Sequence, residues 1–427
     1  MTEPTSGFRA WFLMAAGALA LAACQTTRDR DNDAVAEATV PTSAHSILAA
    51  LEARHGGPPW PAGPDLVRTT RADIYLGNLD GRIDALARRD DPLAQRDRAA
   101  LLAYRYSILG RLGDAEAALE LVQGYMVQSP DDAEALLLRG NLRGTFHRFV
   151  EARQDIERAL RSEPAAQRAL DELDLASGGH HALAERLAGR DTSAEGLYDL
   201  ALRGNLAVQQ GDAAQAEHWF RQAQFRYRDV SPLPLAWLHT QQGIAWLRFG
   251  DIERAQRFFE AAHLRLPQYY LAAEHLAETE FLLGRPERAR ELYRLVVAQT
   301  DNPAFHAALA EVEAELGDLE AAEASLRRAR EGYQSLLARH PAAFADHAAA
   351  FHLERDETEP ALALARLNLS HRQDVMAWLL LAEAEHAAGH RRAACRALAA
   401  AKRTGLRPPE LDELSERVRT CGRGRTQ

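Results

Sequence analysis

An alanine recurs eight times along this chain, and the regularity of its spacing restricts the chain to a repeat fold. The positions are Ala118, Ala152, Ala216, Ala255, Ala289, Ala322, Ala361 and Ala394, and six of the seven spacings between neighbours fall between 33 and 39 residues. About five residues before each alanine lies a turn, which in most cases reads Gly-Asp or Gly-X. A period near 34 residues is typical of units made of two helices and a turn. Only small residues allow two helix axes to approach closely, so the alanine indicates a helix–helix contact in every unit.

Two further positions recur in phase with the alanine. Seven residues before the turn lies a second small residue, at Gly140, Gly204, Gly243, Ala277, Ala310, Ala349 and Ala382, whereas the first unit has Tyr106 there. Large residues often follow the alanine by four, as at Phe220, Phe259 and Tyr293. This pattern resembles the tetratricopeptide repeat (TPR) over residues 99–409. The resemblance implies an all-α, right-handed superhelical solenoid of about eight to nine helix–turn–helix repeats with a C-terminal capping helix.

The chain divides around these repeats. The double spacing between Ala152 and Ala216 predicts a degenerate unit at 165–193, with two short helices around Ser177-Gly178-Gly179. Solenoids need caps because an end repeat would otherwise expose its apolar face. The predicted divisions are a signal peptide at 1–23, a disordered tether at 24–43, a helical cap region at 44–98 with a helix from Ile74 to Arg88, the solenoid at 99–409, a capping helix at 410–420 and a tail at 421–427.

The N-terminus has the features of a targeting segment. Arg9 precedes an apolar run from Ala10 to Ala23 that is too short to span a bilayer as a mature helix. The run ends in Leu21-Ala22-Ala23-Cys24, which resembles the lipobox of bacterial lipoproteins, where the signal is cut before a cysteine that is then lipidated. The resemblance implies lipidation of Cys24. Gln25 after it favours the outer membrane, with the protein facing the periplasm.

Composition and motifs exclude several functions. The chain carries 61 acidic and 51 basic residues, which gives a net charge of −10 and argues against nucleic acid as a partner. We find no phosphate-binding loop, dinucleotide fingerprint, zinc-protease motif or nucleophile elbow, so we expect no enzyme, cofactor or metal site. The pair His180-His181 and the pair His386 and His390 could bind a metal, but surface positions at turns explain both pairs better.

A partner groove is expected on the concave side, which the first helices line. The resemblance places there Leu271, Glu274, Glu278, Phe281, Glu311, Glu315, Asp346 and Glu383. A wall with one sign of charge attracts the opposite sign, and the apolar members would supply burial. The ligand predicted for this groove is a basic, partly apolar segment of another envelope protein. The alternative is that these carboxylates pair with arginines of neighbouring helices.

Lipidation of Cys24 would leave two thiols, Cys395 and Cys421, in an oxidising compartment. Cys395 lies in the second helix of the last repeat and Cys421 directly follows the capping helix, so a disulfide between them is predicted. The sequence therefore indicates a lipid-anchored periplasmic scaffold or adaptor in envelope assembly. Two alternatives stay open, namely an enzymatic or metal-binding role in 44–98 or 165–193, and a purely structural spacer.

Overall fold

The computed structural model describes residues 69–300 and 302–418 of the chain. Within them all regular structure is helical, and no helix there combines the length and apolarity that crossing a membrane requires. The predicted signal peptide, tether, Cys24, Cys421 and tail lie outside the described residues.

Twenty α-helices follow one another within the described residues, and eighteen of them form nine sequential pairs. The helices are α1 (Ala72–Ala87), the pairs α2 (Pro92–Leu109) with α3 (Leu112–Met126), α4 (Ala133–Thr145) with α5 (Phe149–Ala159), α6 (Ala166–Ser177) with α7 (His180–Ala188), α8 (Leu197–Gln209) with α9 (Ala213–Phe225), α10 (Pro232–Arg248) with α11 (Ile252–Arg265), α12 (Tyr270–Leu282) with α13 (Pro286–Thr300), α14 (Pro303–Glu315) with α15 (Leu319–Arg339), α16 (Pro341–Leu353) with α17 (Thr358–His371) and α18 (Val375–Ala387) with α19 (Arg391–Arg403), and finally α20 (Pro409–Arg417). The predicted all-α solenoid of helix pairs is confirmed.

The turn within a pair is built by a residue of positive φ followed by a helix cap. Gly211 has a φ of 77°, which a residue with a side chain rarely adopts, and the Asp212 carboxylate accepts a hydrogen bond from the Gln215 N–H at 2.9 Å. In two pairs His147 and Asp356 hold the same position with φ of 53° and 55°. The Gly-Asp signal therefore combines the end of one helix with the start of the next.

The first pair departs from the sequence interpretation. Its turn lies at Gly110, which has a φ of 68°, and not at Gly113, because α3 already begins at Leu112. The Asp114 carboxylate consequently caps no helix and instead forms a two-point ion pair with Arg105, with N–O distances of 2.7 and 2.8 Å. The correct turn residue was thus three positions earlier than the repeat spacing indicated.

The recurring small residues lie where the helices of a pair touch. Seven of the eight alanines are at most 2 % exposed, and Ala322 alone among them is half-buried. Opposite them, Gly204 of α8 contacts the Phe220 ring so closely that an added Cβ would lie 2.6 Å from Phe220 Cε1. The ring fills the space that the missing side chain leaves, which sets the distance between the two helices.

The superhelix winds tightly enough for its second turn to pack on its first. His147 Nδ1 lies 3.1 Å from the Ala342 carbonyl oxygen, and His180 Nε2 lies 2.7 Å from the Thr404 carbonyl oxygen. These partners are separated by 195 and 224 residues along the chain. Several such contacts join α2–α10 to the segment from α13 to α20, so the concave side of the solenoid is largely enclosed.

A buried ion pair fastens the C-terminal helix to the first turn. The Arg248 guanidinium of α10 donates two hydrogen bonds to the Glu410 carboxylate of α20, at 2.7 and 2.9 Å. Both side chains are less than a tenth exposed. A two-point arginine–carboxylate pair fixes orientation as well as distance, so α20 caps the last helix pair and also closes the superhelix.

The contact at Gly204 gives a prediction about stability. Gly204→Ala forces the new methyl group into the Phe220 ring and should lower the free energy of unfolding by about 1–3 kcal/mol. The matched control is Gly81→Ala in α1, where an added Cβ meets no atom within 4 Å. Because alanine favours helix over glycine, this control should gain about 0.5–1 kcal/mol. Urea unfolding followed by circular dichroism measures both, and equal effects of the two substitutions would contradict the packing argument.

Candidate functional site

The residues predicted for the partner groove do not form an open surface. Leu271, Glu274, Glu278, Asp346 and Glu383 are at most 6 % exposed, Phe281 and Glu311 are half-buried, and Glu315 is exposed. The groove expectation is therefore corrected for the five buried residues, because they pack in the protein interior and cannot line a surface that is open to a partner.

Pairing with arginine accounts for two of the buried carboxylates. Asp346 accepts a hydrogen bond from Arg372 at 3.0 Å, and Glu383 accepts one from Arg417 of α20 at 2.9 Å. Charges this far from water need such partners. At these two positions the structure has the alternative arrangement, in which the carboxylates pair with arginines of neighbouring helices. The arginine charges offset the negative charge that was predicted to attract a basic ligand to the groove.

A cavity of about 150 Å³ lies between the two superhelical turns. Helices α6, α8 and α10 form one wall, and α16, the loop after α17 and α18 form the other. On α10 the lining residues Trp237, Gln241, Ile244 and Arg248 follow a spacing of four, three and four, which places them on one helix face. A cavity of this size holds one side chain or a small molecule.

Aromatic rings make up the floor of the cavity. The Tyr198 and Trp237 rings lie 4.9 Å apart between centroids, and the Arg168 guanidinium carbon lies 5.5 Å from the Tyr198 ring centre. Trp237 is only 4 % exposed, and its indole Nε1 has no hydrogen-bond partner within the described residues. Buried indole N–H groups normally have a partner, so this donor is available to a bound group.

Glu172 of α6 supplies the second available polar group. Its Oε2 atom is buried without a hydrogen-bond partner within the described residues. Burial raises the pKa of Glu172 to about 8, with Asp199 and Asp171 adding to the rise and Arg168 opposing it. The carboxyl therefore holds a proton near neutral pH. A hydrogen-bonding head group that enters the cavity would give the Glu172 carboxyl the partner it lacks. A cationic head group would in addition favour the ionised form of this carboxyl.

A second group of polar side chains lies on α12, in the interior. One ligand atom each from Glu274, His275 and Glu278 lie within 4.8 Å of one another. His275 Nδ1 is 3.2 Å from Glu274 Oε2 and 2.9 Å from Glu278 Oε2. Burial raises the pKa of Glu274 to about 8, and the two carboxylates raise the pKa of His275 against the effect of its own burial. The sequence interpretation placed both glutamates in the groove and found no metal-binding set here.

The histidine pairs considered from the sequence remain apart from both groups. His181, His386 and His390 are exposed, as expected for residues at turns. His180 differs from that expectation, because it is only 6 % exposed and contacts Thr404 across the superhelical turns. Cys395 is half-buried on α19, and since Cys421 lies outside the described residues, their disulfide stays a prediction.

Comparison with known proteins agrees with the repeat pattern. Residues 247–312 match the tetratricopeptide repeat family model, and no curated protein matches the chain. Similar solved structures include a human IFIT1 dimer with m7Gppp-AAAA, at 14 % identity and a TM-score of 0.41 over 92 % of this chain and 96 % of that one. Yeast Tom70 has 14 % identity and a TM-score of 0.34, over 82 % and 89 % of the two chains. A thermophilic TPR protein from Thermus thermophilus has 19 % identity and a TM-score of 0.30, over 51 % and 98 %.

The matched segment runs from the end of α10 to α14, where the sequence has two of its best repeats. The chain is thus a superhelical solenoid of helix pairs that contains tetratricopeptide repeats. Repeats of this kind generally form surfaces for protein–protein interaction, because stacked units present an extended and easily varied surface.

The raised pKa of Glu172 predicts a change of stability with pH. Between about pH 5 and 8 the folded chain holds a proton at Glu172, whose pKa is about 8, while the unfolded chain, with a pKa near 4.5, has lost it. The contribution of Glu172 to the free energy of unfolding therefore decreases as the pH rises towards 8. Relative to Glu172→Gln, the wild type should lose up to about 1.4 kcal/mol of unfolding free energy per pH unit in this range.

Urea unfolding at a series of pH values measures this difference. The control is Glu185→Gln on the exposed side of α7, which should follow the wild-type curve. If the wild type and Glu172→Gln remain parallel from pH 5 to 8, the carboxyl at 172 is ionised and solvated, and the description of the cavity is wrong.

Proposed function

We propose that this chain is a membrane-anchored periplasmic adaptor that holds a segment of another envelope protein during envelope assembly. The repeat fold supports the general role of an interaction scaffold. The periplasmic location rests on the lipobox resemblance at Leu21-Ala22-Ala23-Cys24. On this proposal lipidated Cys24 attaches the chain to the outer membrane, and acyl chains contribute about 0.8 kcal/mol per buried methylene.

The observation that carries the proposal is the cavity between the superhelical turns. It offers an aromatic floor at Trp237 and Tyr198, an available N–H donor and the Glu172 carboxyl. An anchor residue that fills a pocket at the centre of an interface commonly dominates binding. A basic side chain with an aliphatic stem fits this chemistry, because its stem packs on the rings and its head reaches Glu172.

The proposed ligand is therefore of the class expected for the groove, a basic and partly apolar segment. Its binding site, however, is the cavity and not the predicted groove. Phe281, Glu311 and Glu315, the less buried members of the predicted groove, lie on α12 and α14. On this proposal they belong to a secondary contact surface, and the cavity at α6, α8 and α10 holds the anchor residue. The predicted disulfide between Cys395 and Cys421 belongs to the same proposal, and two titratable thiols in the oxidised, denatured protein would exclude it.

Crosslinking in the envelope tests the binding role. A photoreactive phenylalanine at Ile244, which lines the cavity, should capture a partner protein, whereas the same residue at Val127, 83 % exposed on the outside, should not capture that partner. Met376→Lys places a competing cation at the cavity wall and should abolish capture from position 244. The charge-matched control Val127→Lys should leave capture intact. Equal capture in both lysine variants, with both proteins folded by circular dichroism, would exclude the cavity as the binding site.

The anchor is tested separately with Cys24→Ser. This variant should lose labelling by radioactive palmitate and accumulate as an uncleaved precursor, because the thiol that receives the lipid is gone. Unchanged labelling and fractionation would contradict lipidation at Cys24 without bearing on the cavity.

A further inference from the structure

Deeply buried carboxylates among the described residues pair with arginine, and one group differs from this rule. Asp155, 2 % exposed, pairs with Arg139 and Arg143, and its oxygens lie 2.7 and 2.5 Å from their guanidinium nitrogens. Asp171, fully buried, pairs likewise with two arginines, at 2.8 and 2.7 Å. The folded chain thus brings two cations to each of these deeply buried acids, as the cost of burying a charge requires.

Glu274 and Glu278 on α12 are as deeply buried but have a different partner. They are 0 % and 3 % exposed, and both form their ion pair with the single imidazole of His275, itself 2 % exposed. Neither oxygen of Glu274 has a hydrogen-bond donor within the described residues, and His275 Nε2 has no partner there either. Two carboxylates and one imidazole therefore share an apolar interior with less positive charge than Asp155 or Asp171 receives.

We propose that Glu274, His275 and Glu278 bind a divalent transition-metal ion of the Zn²⁺ type. The donor set of one imidazole nitrogen and two carboxylate oxygens is one that Zn²⁺ accepts, with bonds of about 2.0–2.2 Å. Ligand atoms around a tetrahedral ion then lie about 3.3 Å apart. The distances from His275 Nδ1 to the two carboxylates, 3.2 and 2.9 Å, are close to this separation. The hard ions Ca²⁺ and Mg²⁺ prefer oxygen ligands throughout.

The surroundings hold the ligands in place. The Phe259 ring of α11 stacks on His275 with 5.0 Å between centroids and 18° between planes, which restrains the imidazole. On α13 the Tyr293 hydroxyl is buried without a hydrogen-bond partner, and burial together with the charges of Glu274 and Glu278 raises its pKa. Side chains of the preceding and following helices thus pack around the group, so the ligands have little freedom to move.

This site is structural in character. All three ligands come from the buried face of one helix, and the ion would enter while the chain folds, because ligand burial couples metal binding to folding. The competing explanation is a single shared proton, with Glu274 protonated and His275 bound to Glu278. The two explanations differ in metal content and in the response of the melting temperature to a chelator.

The experiment uses the whole mature chain, refolded from denaturant with Zn²⁺ or with a chelator and then passed through a desalting column. The wild type refolded with Zn²⁺ should retain a single ion per chain by plasma mass spectrometry, and its melting temperature should exceed that of the chelator-treated sample. Glu274→Gln and His275→Gln should retain no ion, and Zn²⁺ should not shift their melting temperatures. The matched controls Glu315→Gln on α14 and His218→Gln on α9, both at exposed positions, should behave as the wild type.

A Co²⁺-refolded wild type provides a test that needs no variant. Co²⁺ bound to the His275 nitrogen and the two carboxylates should give visible absorption bands that Zn²⁺ removes by displacement. If the folded wild type retains neither ion and its melting temperature is the same with Zn²⁺ and chelator, the proposal is overturned and the group holds a shared proton. Retention of the ion by both Glu274→Gln and His275→Gln would also overturn it, because the ion would then lie elsewhere.

Discussion

Most helix pairs depend on a contact between a small residue on the first helix and the side chains of the second. Where Gly204 meets the Phe220 ring there is no room for even one methyl group, so the distance between α8 and α9 is set by atoms in contact. The same arrangement recurs at Gly140, which contacts Ile156, and at Gly243, which contacts Phe259, so these pairs have the same close contact between their two helices. The helix pairs wind into a superhelix, and after roughly 200 residues the chain contacts itself, at His147 with Ala342 and at His180 with Thr404.

The contact between the two superhelical turns determines which surfaces remain for binding a partner. An open solenoid presents its first helices to a ligand, whereas here first helices such as α8 and α10 face the other turn of the same chain across a small cavity. A cavity remains between the turns at Trp237 and Glu172, and the buried carboxylates of Asp346 and Glu383 have arginine partners. Buried carboxylate oxygens of Glu172 and Glu274 lack hydrogen-bond partners within the described residues, and these are the two places where we expect something else to bind.

The helix pairs were predictable because their signals are local. Alanine spacing, the glycine of positive φ and the aspartate cap each act within one repeat, which is why the sequence locates pairs such as α8 and α9 well. The error at Gly110 arose where the first pair has its own turn length. Burial of Asp346 could not be predicted in this way, because this residue lies between the two superhelical turns and its burial depends on how several repeats wind, which no single repeat encodes. Glu172 escaped notice because it lies in the degenerate unit, which lacks the marker residues.

The contacts between turns also change how the molecule would respond to force. A solenoid in which each unit contacts only its neighbours can be extended by a small force, because small movements at every interface between repeats add up. In this chain a pull on the ends must first break hydrogen bonds such as that between His147 and Ala342, and the pair between Arg248 and Glu410. The molecule should therefore resist small extensions, and it should extend easily once the contact of α20 with α10 is broken.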